Sequence, residues 1–365
     1  PADVLPMHVA EMDFELAKPI KDMLIDFVQR DDLGYLGPIP ELGEAFAGYA
    51  KRHWGWTVDP RNLRVATDVG VATVEFMRAN SQPGDAVVIS SPVYSSFFGW
   101  TAEVGLRLVD APLRRNESAE DAVHWSLDLA AIEDAFAAGA KFYLMCHPQN
   151  PVGRMHSRAE LEQLALLAER YDVIVISDEI HAPLAFAGEP FVPYLSVSDA
   201  AARTGVCVTS SSKSYNTAGL KAAILVWQSE DVGMLVKKSV EAMHWRSSLL
   251  GAFSMVAAYN DCDDWLAACM NTLDENRHHM LAELHAKLPG VIAHLPEAGY
   301  LSLWDVTALN LGHDPAAAIL RDARVALVPG PDMGGANYKN FVRFNFAASK
   351  VQITEAIDRI AASLK

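Results

Sequence analysis

Cysteine is scarce. The chain has four in 365 residues, Cys146, Cys207, Cys262 and Cys269, and no two form a CxxC pair. A disulfide-stapled scaffold is therefore excluded, and reduced thiols in apolar runs fit a cytoplasmic home. Positive charge is also in deficit: 30 Lys and Arg face 46 Asp and Glu, a formal charge of −16. A chain this acidic is repelled by phosphate backbones and anionic bilayer surfaces, which argues against nucleic acid or membrane as partners. No apolar run approaches the roughly 20 residues that span a bilayer. The first residues carry no secretory pattern, although the chain begins at Pro1 rather than Met. There is no GxSxG element, no internal repeat and no low-complexity linker. GPDMGG (330–335) lacks the strand-then-helix setting of a dinucleotide fingerprint.

What is present is apolar substance. Hydrophobic residues make up 51% and charged residues 21%, enough to bury large cores over two or three domain lengths. Helical spacing marks 41–52 and 157–170, the second opened by a capping box, Ser157 with Glu160. Between helices lie short continuous apolar runs at Ala86–Ser90, Lys141–Cys146, Val173–Ser177, Val206–Thr209 and Ala222–Trp227. Continuous rather than alternating runs are expected of strands buried on both faces. The pattern predicts an α/β fold with a large, mostly parallel sheet. Beyond about residue 250 a long helix is expected at 263–288, strands at Gly299–Trp304, Arg324–Val328 and Phe341–Phe346, and a closing helix at 351–364. The expected division is an N-terminal segment of a small domain (1–33), a large α/β domain (34–255) and a C-terminal α+β part of the small domain (256–365).

Three segments just past strand-like runs carry the chemistry. Lys213 stands in SSSKSYN (210–216), after VCVT. An amine held in a dry site loses affinity for its proton and can form a Schiff base with an aldehyde, while neighbouring hydroxyls can bind phosphate. A solvated lysine in a Ser-rich turn is an equal reading of this segment alone. Asp178 closes the run VIVIS, where open parallel sheets place ligand sites. A buried carboxylate needs a cation, such as a protonated pyridine nitrogen; a helix N-cap is the plainer role. Asn150 lies in HPQNPVG (147–153), its backbone constrained by Pro151, and is suited to bonding a phenolate oxygen or to an ordinary turn.

In order and spacing, NPxG, SDEIH and SSSKS resemble the fold-type I pyridoxal-phosphate enzymes. LPMHVAEMDF (5–14), GYLG (34–37), SPVYSSF (91–97) and FVRFNFA (341–347) narrow the likeness to the MalY/PatB-type C–S lyases. The resemblance implies an aspartate aminotransferase-like fold and pyridoxal 5'-phosphate as cofactor. It implies that Lys213 bonds the cofactor and moves the substrate proton, that Asp178 pairs with the ring nitrogen, and that Asn150 and His181 face the phenolate oxygen. Tyr94 would stack on the ring. Phosphate would fall to the N–H groups of Val71 and Ala72 after Gly70, to Ser210 and Ser212, and to Lys221 in place of the more usual arginine. Arg343 would clamp the substrate carboxylate, with Asn150 and Tyr94 beside it. Tyr35 would reach the phosphate of a neighbouring subunit in a homodimer with shared sites. His8 replaces a tryptophan common in these lyases, so the substrate pocket is expected to differ. The implied reaction is α,β-elimination from L-cystathionine or a related S-substituted L-cysteine. Transamination and a regulatory binding role are the alternatives. His278, His279 and His285 lack a carboxylate trio and are not read as a metal site.

Overall fold

The computed structural model describes residues 3–116, 124–188 and 190–365. Its centre is a seven-stranded sheet in the order Leu63–Ala66, Ala223–Val226, Gly205–Thr209, Ile174–Asp178, Ala140–Cys146, Ala86–Ile89, Arg107–Asp110. Ala223–Val226 runs antiparallel to both of its neighbours, and the other pairings are parallel. All residues of the Ala86–Ile89, Gly205–Thr209 and Ala223–Val226 strands are buried, so the continuous apolar runs do mark strands covered on both faces.

Helix limits follow from their end residues. The helix expected at 41–52 runs Pro40–Trp54: Pro40 suits the first turn, where its missing N–H costs nothing, and Gly55 ends it in a left-handed cap. Ser157 and Glu160 do form the reciprocal capping box of the Arg158–Arg170 helix.

A second, four-stranded antiparallel sheet runs Ile292–Ala293, Leu301–Asp305, Phe341–Asn345, Val328–Pro329. The single strand expected at Arg324–Val328 is instead two short pieces. Val325–Ala326 pairs with Leu5–Pro6, and Val328–Pro329 turns to Phe341–Asn345. The N-terminus is thereby stitched to the C-terminal part. The helix Lys18–Gln29, however, packs on Leu249–Asp261, with the Phe27 and Phe253 rings 4.9 Å apart. The expected boundary at 255/256 falls inside that continuous helix. Cys262 separates the helices Leu249–Asp261 and Asp263–Lys287. Cys262 thus sits at a helix junction, and Cys269 lies within the helix that follows it. All four cysteines are buried and free. No helix among the described residues is long and apolar enough to cross a membrane.

Candidate active site

Four neighbouring strands of the large sheet end on one side, and the segments that follow them converge there. Asp178 is the last residue of its strand and lies in register with Cys146. The His147 N–H donates to the Asp178 carbonyl (2.9 Å), and the Asn150 N–H donates to Cys146 Sγ (3.3 Å), which folds the Asn150 turn back over the sheet end. Gly153 closes this turn with φ +70°, and a Cβ there would stand 2.6 Å from Pro296, so both conformation and space demand glycine. Lys213 sits in the turn after Gly205–Thr209.

These residues line a cavity of about 460 Å³ together with Tyr94, His181, Ser212, Lys221 and Arg343. Its electrostatics are unbalanced. Burial pushes the Asp178 carboxyl up to about 7, opposed only by an N–H bond from Ile180 (3.2 Å) and the nearby Lys213 charge. Burial pulls the Lys213 ammonium below its ordinary range, helped by the positive charge of Arg343. His181 is driven down to about 3 by burial and by Lys213 and Arg343, and is therefore neutral, with a buried Nδ1 that has no partner. Arg343 is buried in the strand Phe341–Asn345. It donates to Asn150 Oδ1 (3.3 Å) and the His8 carbonyl (2.9 Å), and among the described residues it has no carboxylate partner. Its Nε is unbonded. A structural salt bridge is therefore not its role.

Such a cavity suits a flat cofactor with an aldehyde, a basic ring nitrogen and a phosphate. Lys213 would meet the aldehyde, Asp178 would pair with a ring nitrogen, and His181 and Asn150 line the same space. Arg343 would be left for a substrate carboxylate.

A model of the aminotransferase class I and II family matches residues 2–360. The chain belongs to that family. Cystathionine beta-lyase of Corynebacterium glutamicum is 32% identical over all of this chain and 95% of its own length. Cystathionine beta-lyase PatB of Bacillus subtilis is 30% identical over 99% of this chain and 93% of its own. The crystal structure of cystalysin from Treponema denticola, which contains pyridoxal 5'-phosphate, superposes with a TM-score of 0.93 at 25% identity, covering 100% of this chain and 92% of that one.

Some family positions fall elsewhere than the motifs imply. The Asp68 side chain caps the helix Val69–Ala79 by accepting from the Val71 N–H (2.8 Å), and the Ala72 N–H donates to the Asp68 carbonyl (2.9 Å). The residues of this helix start that line the cavity are Val69 and Gly70, two positions earlier than Val71 and Ala72. Ser210 turns its hydroxyl away, donating to the Ala222 carbonyl (2.6 Å) and accepting from the Ser212 N–H (3.1 Å), so Ser212 alone of that pair lines the cavity. Lys221 lines it and pairs with Asp68 (3.3 Å). Tyr35 is 90% exposed and outside the cavity of its own chain. The His8 side chain is not part of the lining, although its carbonyl holds Arg343.

Sequence reasoning missed Trp100, whose indole borders the cavity and leaves no room on Gly70: a Cβ there would lie 2.8 Å from the ring. It also missed three residues that hold the N-terminal segment, Asn216, Tyr300 and Asn345. Asn216 and Asn345 lie in quoted motifs and Tyr300 in an expected strand, but the partners of all three are more than 200 positions away.

Proposed function

We propose that this chain is a pyridoxal-phosphate-dependent C–S β-lyase acting on L-cystathionine or a related S-substituted L-cysteine, and releasing a thiol, pyruvate and ammonia. The observation that carries it is one cavity joining an amine of lowered basicity, a buried carboxyl without a cation and a guanidinium without a carboxylate. Full-length similarity to two cystathionine beta-lyases favours elimination over the other outcomes open to such a site.

When bound, pyridoxal phosphate supplies the sink for the electron pair left at the substrate Cα. Arg343 binds the α-carboxylate through its planar fork, releasing the contacts it now makes with Asn150 and His8. Asp178 would hold the ring nitrogen protonated by pairing with it as a carboxylate. Lys213, its basicity lowered by burial, would take the Cα proton. Tyr94, with Trp100 5.7 Å from its ring, walls the cavity and keeps water from the reacting face. Ser212, Lys221 and the N–H groups of Val69 and Gly70 hold the phosphate at a helix N-terminus.

We further assign the enzyme to a cytoplasmic homodimer in which Tyr35, exposed on its own chain, reaches the phosphate of the partner site. Light scattering checks the dimer. The activity test is steady release of pyruvate and thiol from L-cystathionine with no keto acid present. Turnover that stops after one equivalent unless a keto acid is supplied would establish transamination instead.

A further inference from the structure

Residues 8–12 form a strap across the cavity, held by backbone groups rather than side chains. Arg343 donates to the His8 carbonyl, and Asn345 donates to those of Val9 (2.6 Å) and Glu11 (2.7 Å). Asn216 donates to the Met12 carbonyl (2.8 Å) and accepts from the Met12 N–H (3.2 Å). At the centre, the Ala10 carbonyl accepts twice, from Lys213 Nζ at 2.7 Å and from the Tyr300 hydroxyl at 3.0 Å. A carbonyl oxygen has two lone pairs, and both are used. Tyr300 is fully buried, and its ring meets His181 edge-on at 5.9 Å.

We propose that Tyr300 is a positioning residue: by fixing the Ala10 carbonyl it aims the amine of Lys213 at the substrate Cα. The proposal rests on Lys213 being the base of a pyridoxal-phosphate enzyme, and does not depend on whether elimination or transamination follows. A neutral amine has two N–H bonds and one lone pair. With one N–H on Ala10, rotation about the Cε–Nζ bond is restricted, and the lone pair is confined to the two directions that do not point at that carbonyl. In the step itself the Cα–H bond breaks, an N–H bond forms on Nζ, and the electron pair stays with the substrate. The resulting ammonium keeps the same carbonyl as acceptor, which stabilises the charge as it develops.

The test is Tyr300→Phe, which removes one oxygen and keeps the ring against His181. In the holoenzyme in D2O, solvent exchange of the L-alanine Cα proton reads the Lys213 step without a leaving group. We expect exchange to slow about tenfold, while the KM for alanine, the thermal midpoint and the affinity of apoprotein for pyridoxal phosphate stay within twofold or a few degrees. A second readout needs no turnover: the rate at which apoprotein Lys213 captures pyridoxal phosphate, followed by visible absorption, should fall several-fold. Unchanged exchange and capture rates overturn the proposal. A slowing matched by an equal loss of cofactor affinity and thermal stability also overturns it, because that pattern is structural. If the unaltered enzyme exchanges the proton but releases no thiol from cystathionine, the lyase assignment fails and this inference stands. If it neither captures the cofactor nor exchanges, both fall.

Discussion

Replacing Arg343 with Met separates a substrate clamp from a structural ion pair. The guanidinium is buried on the strand Phe341–Asn345, and its recorded bonds are to Asn150 Oδ1 and the His8 carbonyl. Losing two hydrogen bonds with a charged donor costs about 1.5–3 kcal/mol each at most. Against that, the fold no longer buries a charge without a counter-ion, a penalty of several kcal/mol. The two nearly cancel, so the apoprotein should melt at the same temperature or slightly higher. Catalysis should respond in the opposite sense. A substrate carboxylate left without its fork costs about 3–5 kcal/mol, as for any broken buried pair. At 1.36 kcal/mol per decade this is a loss of roughly 100- to 5,000-fold in kcat/KM, carried mainly by KM. Arg343→Lys keeps the charge without the fork and should fall between the two proteins. The assays are calorimetry of the apoprotein and pyruvate release from cystathionine. A midpoint lowered by many degrees, with a kcat/KM loss under tenfold, would refute the reasoning and return Arg343 to a structural role.

Lys213→Ala should lose both the visible absorption of bound cofactor and all thiol release, with the melting temperature retained, which spectroscopy and calorimetry check together. Asp178 makes apoprotein stability depend on pH. Its folded value of about 7 lies above the ordinary 3.8, so between those values the folded state holds a proton that the unfolded chain has released, and stability falls as pH rises through that window. Asp178→Asn should remove this fall, up to about 4 kcal/mol at 1.36 kcal/mol per unit, in urea unfolding at pH 4.5, 6 and 8; parallel curves for the two proteins would contradict it. Gly70→Ala puts a Cβ 2.8 Å from the Trp100 ring. Overpacking of about 1–3 kcal/mol and weaker cofactor binding are expected, and trimming Trp100 to Leu in the same protein should restore both.

Much of this architecture could be read from residue order because its signals are local. Runs such as Ala86–Ile89 and Ala223–Val226 are apolar at every position, and the groups at their ends, Asp178, Asn150 and Lys213, stand where a parallel sheet collects ligands. Arg343 was conspicuous as a charge inside FVRF. The misplacements have local causes too. The Val71 N–H is already taken by the Asp68 N-cap, and an Asp opening a helical run is the ordinary sign of one. Ser210 and Ser212 differ by the direction in which a turn points each hydroxyl, which residue type does not encode. The strap was invisible for a different reason: Asn345, Tyr300 and Asn216 hold it through bonds spanning 204 to 336 residues, and no periodicity reports such pairs.

Those spans have a consequence for the chain's birth. Proteins leave the ribosome amino end first, and early stretches begin to fold before late ones exist. Residues 8–12 emerge well before their tethers at Tyr300, Arg343 and Asn345 are translated. A nascent polypeptide can thus complete its central sheet and expose Lys213 while the cover above it still hangs loose. Prematurely terminated products would keep both the nucleophile and its roof and lack the ties between roof and walls.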